Sequence, residues 1–133
     1  YFIVEIKSMK RIFDAVKASD IPVLCTIDEV LRGTNTAERI GASTELLKAL
    51  SKQGVLCFAA THDMELTNYL KDIYDNYHFE EMVDGDQISF PYRLVNGPSR
   101  GRNAIRLLEA FGFDREITDN AHRLAEKLTG EQT

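Results

Sequence analysis

The sequence has few cysteines and no excess of positive charge, and each shortage argues against a class of protein. Its 133 residues include two cysteines, Cys25 and Cys57, and both lie inside apolar stretches. Small buried thiols in a reducing compartment explain them better than a metal site or a redox pair does. The net charge of −5 argues against a nucleic-acid cradle in this chain alone, because such surfaces are usually basic.

Long apolar segments are also missing from the sequence. No stretch approaches the roughly 18 to 20 apolar residues that a membrane-spanning helix needs, and there is no signal-like segment. With 44% hydrophobic and 28% charged residues, the composition is that of a globular domain, and we expect a cytoplasmic location. Because the first residue is Tyr1 and not methionine, we expect a fragment of a longer protein with further domains upstream, membrane domains being one option.

Two short apolar runs each end in polar residues that can take part in chemistry. Residues 21–27 lead into Asp28 and Glu29, and residues 55–60 lead, after one threonine, into His62. Both runs are rich in branched residues, which predicts fully buried strands of a parallel sheet.

The stretch between the two runs decides how their ends meet. Residues 36–53 have helical spacing, with Thr36 as the predicted N-cap, so the unit reads as strand, helix, strand. A right-handed crossover makes the two strands parallel, and ligands of open α/β sheets bind outside the carboxyl ends of the strands. We therefore expect Asp28, Glu29 and His62 to converge on one ligand-binding edge.

The remaining sequence predicts four helices and one hairpin. The helices cover residues 5–18, 64–72, 103–111 and 114–128, and the hairpin pairs residues 77–83 with residues 87–94 around an Asp-Gly turn. Pro91 places its strand at an edge or a bulge. The aromatic side chains of the hairpin are predicted to form sheet core; they are Tyr77, Phe79, Phe90 and Tyr92.

Each polar motif is weak alone and gains specificity in combination. An apolar strand ending in Asp-Glu has the form of a Walker B motif, in which the aspartate holds Mg²⁺ through bound water and the glutamate orients an attacking water. Acidic strand ends also serve simply to cap turns, and a lone histidine at a strand end is usually a turn residue. The loop of residues 32–36 joins the two motifs, and no simpler reading predicts all three features at this spacing.

Four segments resemble the MutS family. Residues 24–36, Leu-Cys-Thr-Ile-Asp-Glu-Val-Leu-Arg-Gly-Thr-Asn-Thr, resemble that family's run from Walker B into its Arg-Gly-Thr loop. Residues 59–62, Ala-Ala-Thr-His, resemble its switch, and residues 1–5 resemble the end of its signature segment. Residues 76–78 resemble its Asn-x-His strand.

The resemblance implies an α/β fold, the carboxy-terminal portion of a parallel-sheet P-loop NTPase of the ABC type, with a β-hairpin and a terminal helical pair. It implies ATP and Mg²⁺ as cofactors and a head-to-tail homodimer of the full-length protein, with DNA bound through domains outside this chain. Asp28 would be the magnesium ligand, and Glu29 and His62 the catalytic glutamate and the γ-phosphate sensor. The nucleotide-site residues it implies are Glu5 of the signature helix and Arg32, Gly33, Thr34 and Asn35 of the interface loop.

The glycine-rich Walker A sequence, which cradles phosphates, is absent from these residues. We therefore expect the isolated chain to be inactive as an ATPase, although the resemblance implies that the full-length protein is an enzyme. Residues 1–98 are predicted to be the ATPase part and residues 99–133 a helical extension. No membrane segment is expected in this chain.

Several alternatives stay open from the sequence. One is a non-catalytic ABC-like module for dimerisation and nucleotide binding. Another is a MutS-related ATPase outside mismatch repair, since residues 97–104 look more like the shorter MutS-related proteins. The apolar stripe on the last two helices serves either a dimer contact or the cover of the hairpin. Arg100, Arg102 and Arg106 form either a solvated basic turn or a contact with an acidic partner or nucleic acid.

Overall fold

The computed structural model describes residues 2–52, 54–99 and 103–131. The chain divides into two compact units, the first ending at Asn76 and the second beginning at Tyr77. The architecture is mixed α/β, with a two-stranded parallel sheet in the first unit and antiparallel strand pairs in the second. Across the described residues, no helix has the length and apolar character needed to cross a membrane. The domain boundary expected after residue 98 stays a prediction.

The first unit alternates helices and strands. Its elements are α1 (Phe2–Ala18), β1 (Val23–Asp28), α2 (Thr36–Lys52), β2 (Val55–Ala60) and α3 (Met64–Tyr69). The helix predicted for residues 5–18 begins three residues earlier, and α3 is shorter than expected. The N-cap prediction was wrong. Thr36 is the first helical residue, and the Asn35 side chain caps α2 by accepting a hydrogen bond from the Glu38 N–H at 3.0 Å.

Strands β1 and β2 are parallel and in register, which confirms the predicted strand–helix–strand unit. Val23 pairs with Val55, Cys25 with Cys57, and Asp28 with Ala60. Cys25 is buried, Cys57 is half-buried, and both thiols are free, as predicted. Burial raises the pKa of the Cys57 thiol, which keeps it protonated and unreactive.

The core of the first unit lies on one face of this sheet. Its buried apolar side chains come from the loop after β1, from the three helices and from the C-cap of α3: Met9, Val16, Val30, Leu31, Leu47, Leu50, Leu66 and Leu70. The opposite face is open, and Leu24, Leu56 and Phe58 are more than half exposed there. The prediction of fully buried strands was therefore wrong for this chain, because the described helices cover only one side of the sheet.

The second unit contains an interrupted hairpin followed by two helices. Its elements are β3 (Tyr77–Phe79), β4 (Met82–Asp84), β5 (Gln87–Ser89), β6 (Leu94–Asn96), α4 (Asn103–Ala110) and α5 (Arg115–Glu131). Strand β4 pairs with β5 across a two-residue loop, in which Gly85 has a φ of 61°, and β3 pairs with β6. This confirms the hairpin with shorter strands than predicted.

The interruption of the hairpin falls at the predicted proline. Two residues, 80–81, separate β3 from β4, whereas four, 90–93, separate β5 from β6, so the second arm carries two extra residues. Pro91 lies among them and Tyr92 has a φ of 52°, which fits a break in the strand ladder. The prediction of sheet core was wrong: Tyr77, Phe79, Phe90 and Tyr92 are all more than half exposed.

The helical stripe predicted for dimerisation or for covering the hairpin is largely uncovered in the second unit. Phe111, Leu124 and Leu128 are more than half exposed. Arg100 and Arg102 lie outside the described residues, and Arg106 is exposed on α4.

One polar contact ties the hairpin arms of the second unit together. The His78 Nδ1–H donates to the Gly97 carbonyl oxygen at 2.7 Å, and its Nε2–H donates to Glu80 Oε1 at 3.1 Å. Two donating ring nitrogens require the imidazolium form. Accordingly, the hydrogen bond to Gly97, helped by the one to Glu80, raises the pKa of His78.

Candidate functional site

The ends of β1 and β2 bring the predicted acid and histidine together. The Glu29 N–H donates to the Ala60 carbonyl oxygen at 2.9 Å, which continues the parallel ladder one residue past β1. Glu29 Oε1 then lies 3.4 Å from His62 Nε2. The His62 side chain is 92% exposed, so it is free to meet a ligand from solvent. Of the three residues expected to converge at this edge of the sheet, Glu29 and His62 are thus brought together.

The backbone that carries Glu29 is strained. Glu29 has a φ of 59° and Leu31 a φ of 54°, a left-handed region that side-chain-bearing residues rarely occupy. Val30 and Leu31 are both buried in the core, which anchors this tight turn. Non-glycine residues held at positive φ cluster at functional sites, where surrounding packing enforces them.

The loop after this turn is attached to the start of α1 by Glu5. The Arg32 N–H donates to both carboxylate oxygens of Glu5, and the Gly33 N–H donates to Oε2, each at 3.0 Å. Gly33 also approaches α1 closely, since a Cβ added there would lie 3.0 Å from Phe2 Cβ and 3.1 Å from Phe2 Cα. Both Glu5 oxygens are thus engaged by backbone donors of the predicted interface loop.

The remaining loop residues are arranged around the start of α2. The Thr34 hydroxyl donates to Glu38 Oε2 at 2.9 Å, beside the Asn35 cap. The Arg32 side chain turns the other way, and its Nε lies 3.1 Å from Glu29 Oε2. Glu29 therefore has one carboxylate oxygen toward Arg32 and the other toward His62.

An ion pair that the sequence did not predict lies beside His62. Arg39 Nε donates to Asp63 Oδ2 and its Nη2 donates to Oδ1, both at 2.8 Å. The contact with Arg39 holds the pKa of the Asp63 carboxyl below its usual range. One sequence signal was available: a cation in the first turn of a helix opposes the helix dipole, and such a residue usually has a specific partner.

A shallow cavity of about 240 Å³ joins these groups and is lined by residues 29–32, Arg39 and residues 61–63. A larger cavity, about 490 Å³, lies along α1 and is lined by Val4, Lys7, Lys10 and Arg11. The larger one contains neither a carboxylate nor an imidazole, so we place the candidate site at the smaller.

Asp28, the predicted magnesium ligand, is the last residue of β1, and its side chain is exposed. Within the described residues, no group of three or more His, Cys, Asp or Glu side chains is placed to hold a metal by itself. Mg²⁺ usually takes one or two protein carboxylates, with phosphates and water as its other ligands. One exposed carboxylate at the strand end fits that pattern. The assigned roles of these residues stay predictions.

The first unit belongs to the α/β class of proteins, with an acidic strand end that faces a histidine. Comparison of the sequence with known proteins identifies its family. The chain belongs to the MutS domain V family, which matches residues 1–129. It is 32% identical over 112 residues to the DNA mismatch repair protein MutS of Aquifex pyrophilus, covering 82% of this chain and 13% of that protein. It is 26% identical over 113 residues to the Endonuclease MutS2 of Thermotoga petrophila and to that of Thermotoga maritima, covering 85% of this chain and 15% of each. The chain thus spans 13–15% of the length of these relatives.

Proposed function

We propose that this chain is the part of a MutS-like ATPase domain, of the ABC type within the P-loop NTPases, that carries the acidic strand end and the switch histidine. The observation that carries the proposal is the 3.4 Å approach of Glu29 Oε1 to His62 Nε2 at the ends of two in-register parallel strands. Membership of the MutS domain V family supports it. The site lies at the sheet edge where α/β proteins bind their ligands.

The contacts of the site support one role for each group. Glu29 acts as the general base that orients and activates the attacking water, with its carboxylate held in place by Arg32. His62 donates a hydrogen bond toward the γ-phosphate as negative charge develops there. Asp28 would hold Mg²⁺, which would offset the charge of the phosphates. Glu5 fixes the loop of Arg32 and its neighbours at the nucleotide.

The longer protein couples ATP binding and hydrolysis to the recognition or repair of DNA mismatches. It works as a homodimer and contacts DNA through domains outside this chain. The phosphate-cradling loop of the ATP site belongs to a part of the protein beyond these residues. Because the relatives are several times longer than this chain, the chain supplies only some of the groups of the ATP site, and other parts of the protein supply the rest.

The relatives also support a second candidate. Two of them are named Endonuclease MutS2, not mismatch repair protein. A MutS-related ATPase that acts outside mismatch repair accounts for the same site equally well. Comparing the affinity of the full-length protein for mismatched duplexes and for other DNA structures separates the two candidates, since only the first requires a preference for mismatches.

The ATPase assignment is tested by changing Glu29 in the full-length protein. Glu29→Gln keeps the shape of the side chain and removes its basicity, so turnover falls by about 10² to 10⁴-fold while nucleotide binding persists. His62→Ala slows hydrolysis with a smaller loss of affinity, because its contact strengthens as charge develops. Glu45→Gln, on the exposed face of α2, is the matched control.

Steady-state hydrolysis and calorimetric binding of Mg-ATP give both quantities. Unchanged hydrolysis in Glu29→Gln contradicts the role of general base. A wild-type protein that binds nucleotide without turnover indicates instead the non-catalytic module for dimerisation and nucleotide binding.

A further inference from the structure

The best-formed ion pair of the candidate site involves neither of its two catalytic candidates. Arg39 and Asp63 meet through two parallel hydrogen bonds of 2.8 Å, the fork geometry that makes guanidinium–carboxylate pairs directional. The two side chains are only 23% and 17% exposed. By contrast, the Lys48–Glu45 pair on the same helix is longer, at 3.6 Å, and more exposed. The Arg39–Asp63 pair therefore has the geometry of a structural restraint.

The restraint acts on the turn that carries His62. Asp63 follows His62 directly, its N–H donates to Thr61 Oγ1 at 2.9 Å, and its carbonyl oxygen accepts the Leu66 N–H at 3.2 Å. These local bonds shape the turn but do not attach it to α2. The bidentate contact with Arg39 makes that attachment, across 24 residues of sequence.

The imidazole itself has little else to hold it. The His62 side chain is 92% exposed, and its nitrogen Nε2 lies 3.4 Å from Glu29 Oε1, a longer separation than that of a normal hydrogen bond. A side chain placed this way takes its position from its backbone. Arg39, in contrast, occupies the first turn of α2, where a cation is unfavourable unless a nearby carboxylate pairs with it.

We propose that Arg39 and Asp63 are positioning residues, which hold the Thr61–Asp63 turn against α2 so that His62 faces Glu29 and the bound phosphate. The proposal rests on the ATPase function proposed above. Catalytic groups must be held to within a fraction of an ångström, and small displacements are costly in rate. The pair acts through His62 and makes no contact with the nucleotide.

Variants of the full-length protein test the proposal. Arg39→Lys keeps the charge but loses the fork, and Asp63→Asn keeps the shape but loses the charge. In each, kcat falls by about ten- to a hundredfold, the usual result of a displaced catalytic group, while the Kd for Mg-ATP changes by less than about threefold. The double variant Arg39→Asp/Asp63→Arg restores the pair in reverse and recovers most of the lost kcat. Lys48→Ala, which breaks the exposed pair of α2, leaves kcat unchanged.

The charge reversal separates positioning from direct binding. If Arg39 contacted the phosphate itself, Arg39→Lys would raise Kd as much as it lowers kcat, and the double variant would stay inactive; either result overturns the proposal. Wild-type kcat in both single variants also overturns it. Two-dimensional NMR of the histidine ring gives a further readout, because Asp63→Asn must shift the His62 signals while leaving those of His122 in place.

The proposed function and this inference fail in different ways. If Glu29→Gln hydrolyses ATP at the wild-type rate, the ATPase assignment itself is wrong. If Glu29→Gln is inactive while Arg39→Lys and Asp63→Asn are fully active, only the positioning role is wrong. Circular dichroism identifies a variant that fails to fold, and the other single variant then decides the question.

Discussion

The positive φ of Glu29 gives a quantitative test of how this site is built. Glu29→Ala and Glu29→Gly both remove the carboxylate and its contacts with Arg32 and His62, so the difference between them isolates the backbone. A left-handed conformation costs a side-chain-bearing residue about 1–2 kcal/mol and costs glycine nothing. Glycine also has more conformational entropy in the unfolded chain, and this reduces the stability advantage of the glycine variant by about 0.4–1 kcal/mol. We therefore expect Glu29→Gly to be the more stable variant by about 1 kcal/mol.

Urea unfolding followed by circular dichroism measures this difference. With a slope of about 2 kcal/mol per molar urea, 1 kcal/mol separates the two midpoints by about 0.5 M. The control pair is Glu45→Ala and Glu45→Gly in the middle of α2, where the order must reverse because glycine is about 1 kcal/mol worse than alanine in a helix. If Glu29→Gly is no more stable than Glu29→Ala, the strain does not exist and the turn is relaxed.

Two further predictions concern stability. Gly33→Ala places a Cβ 3.0 Å from Phe2, so the loop must move away from α1, and urea unfolding should show a loss of about 1–3 kcal/mol in stability. The control Gly41→Ala, which has open space around the new Cβ, should stabilise the chain. A Gly33→Ala variant as stable as wild type would contradict the close approach. For His78, whose pKa is raised from 6.5 by Gly97 and Glu80, the stabilisation is complete below about pH 6.5 and is lost as the pH rises through the folded-state pKa. The difference in unfolding midpoint between wild type and His78→Gln should therefore shrink as the pH rises above about 6.5, and a constant difference would show that the imidazolium is not the stabilising form.

The features that the sequence predicted correctly are those set by local pattern. Two short apolar runs separated by a helical stretch allow few topologies, and the crossover rule then makes the strands parallel. Once they are parallel, Glu29 and His62 must lie at the same edge of the sheet. An Asp-Gly pair between alternating segments located the hairpin in the same way, although Pro91 shortened its arms.

The features that it missed depend on contacts between distant segments. The position of Arg39 in the first turn of α2 suggests a partner, but nothing in the sequence identifies that partner as Asp63, 24 residues later. Likewise, nothing near Glu5 indicates that its partners are backbone N–H groups 27 and 28 residues later. Periodicity also shows which residues share a face, but not what covers that face. The apolar run of β1 therefore predicted burial on both sides, whereas Leu24 is exposed in this chain.

The attachment of the loop that begins at Arg32 to α1 makes the start of that helix part of the energetics of the acidic site. Glu5 holds the backbone of Arg32, and the side chain of Arg32 pairs with Glu29. These contacts connect the start of α1 to the acidic end of β1. Ile3 and Val4 at the start of the helix are exposed to any surface that docks there. A surface that displaces Glu5 must also displace the partner of Glu29. By thermodynamic linkage the effect is reciprocal, and a ligand that reorients Glu29 changes the affinity of the helix start for its own partner by the same factor.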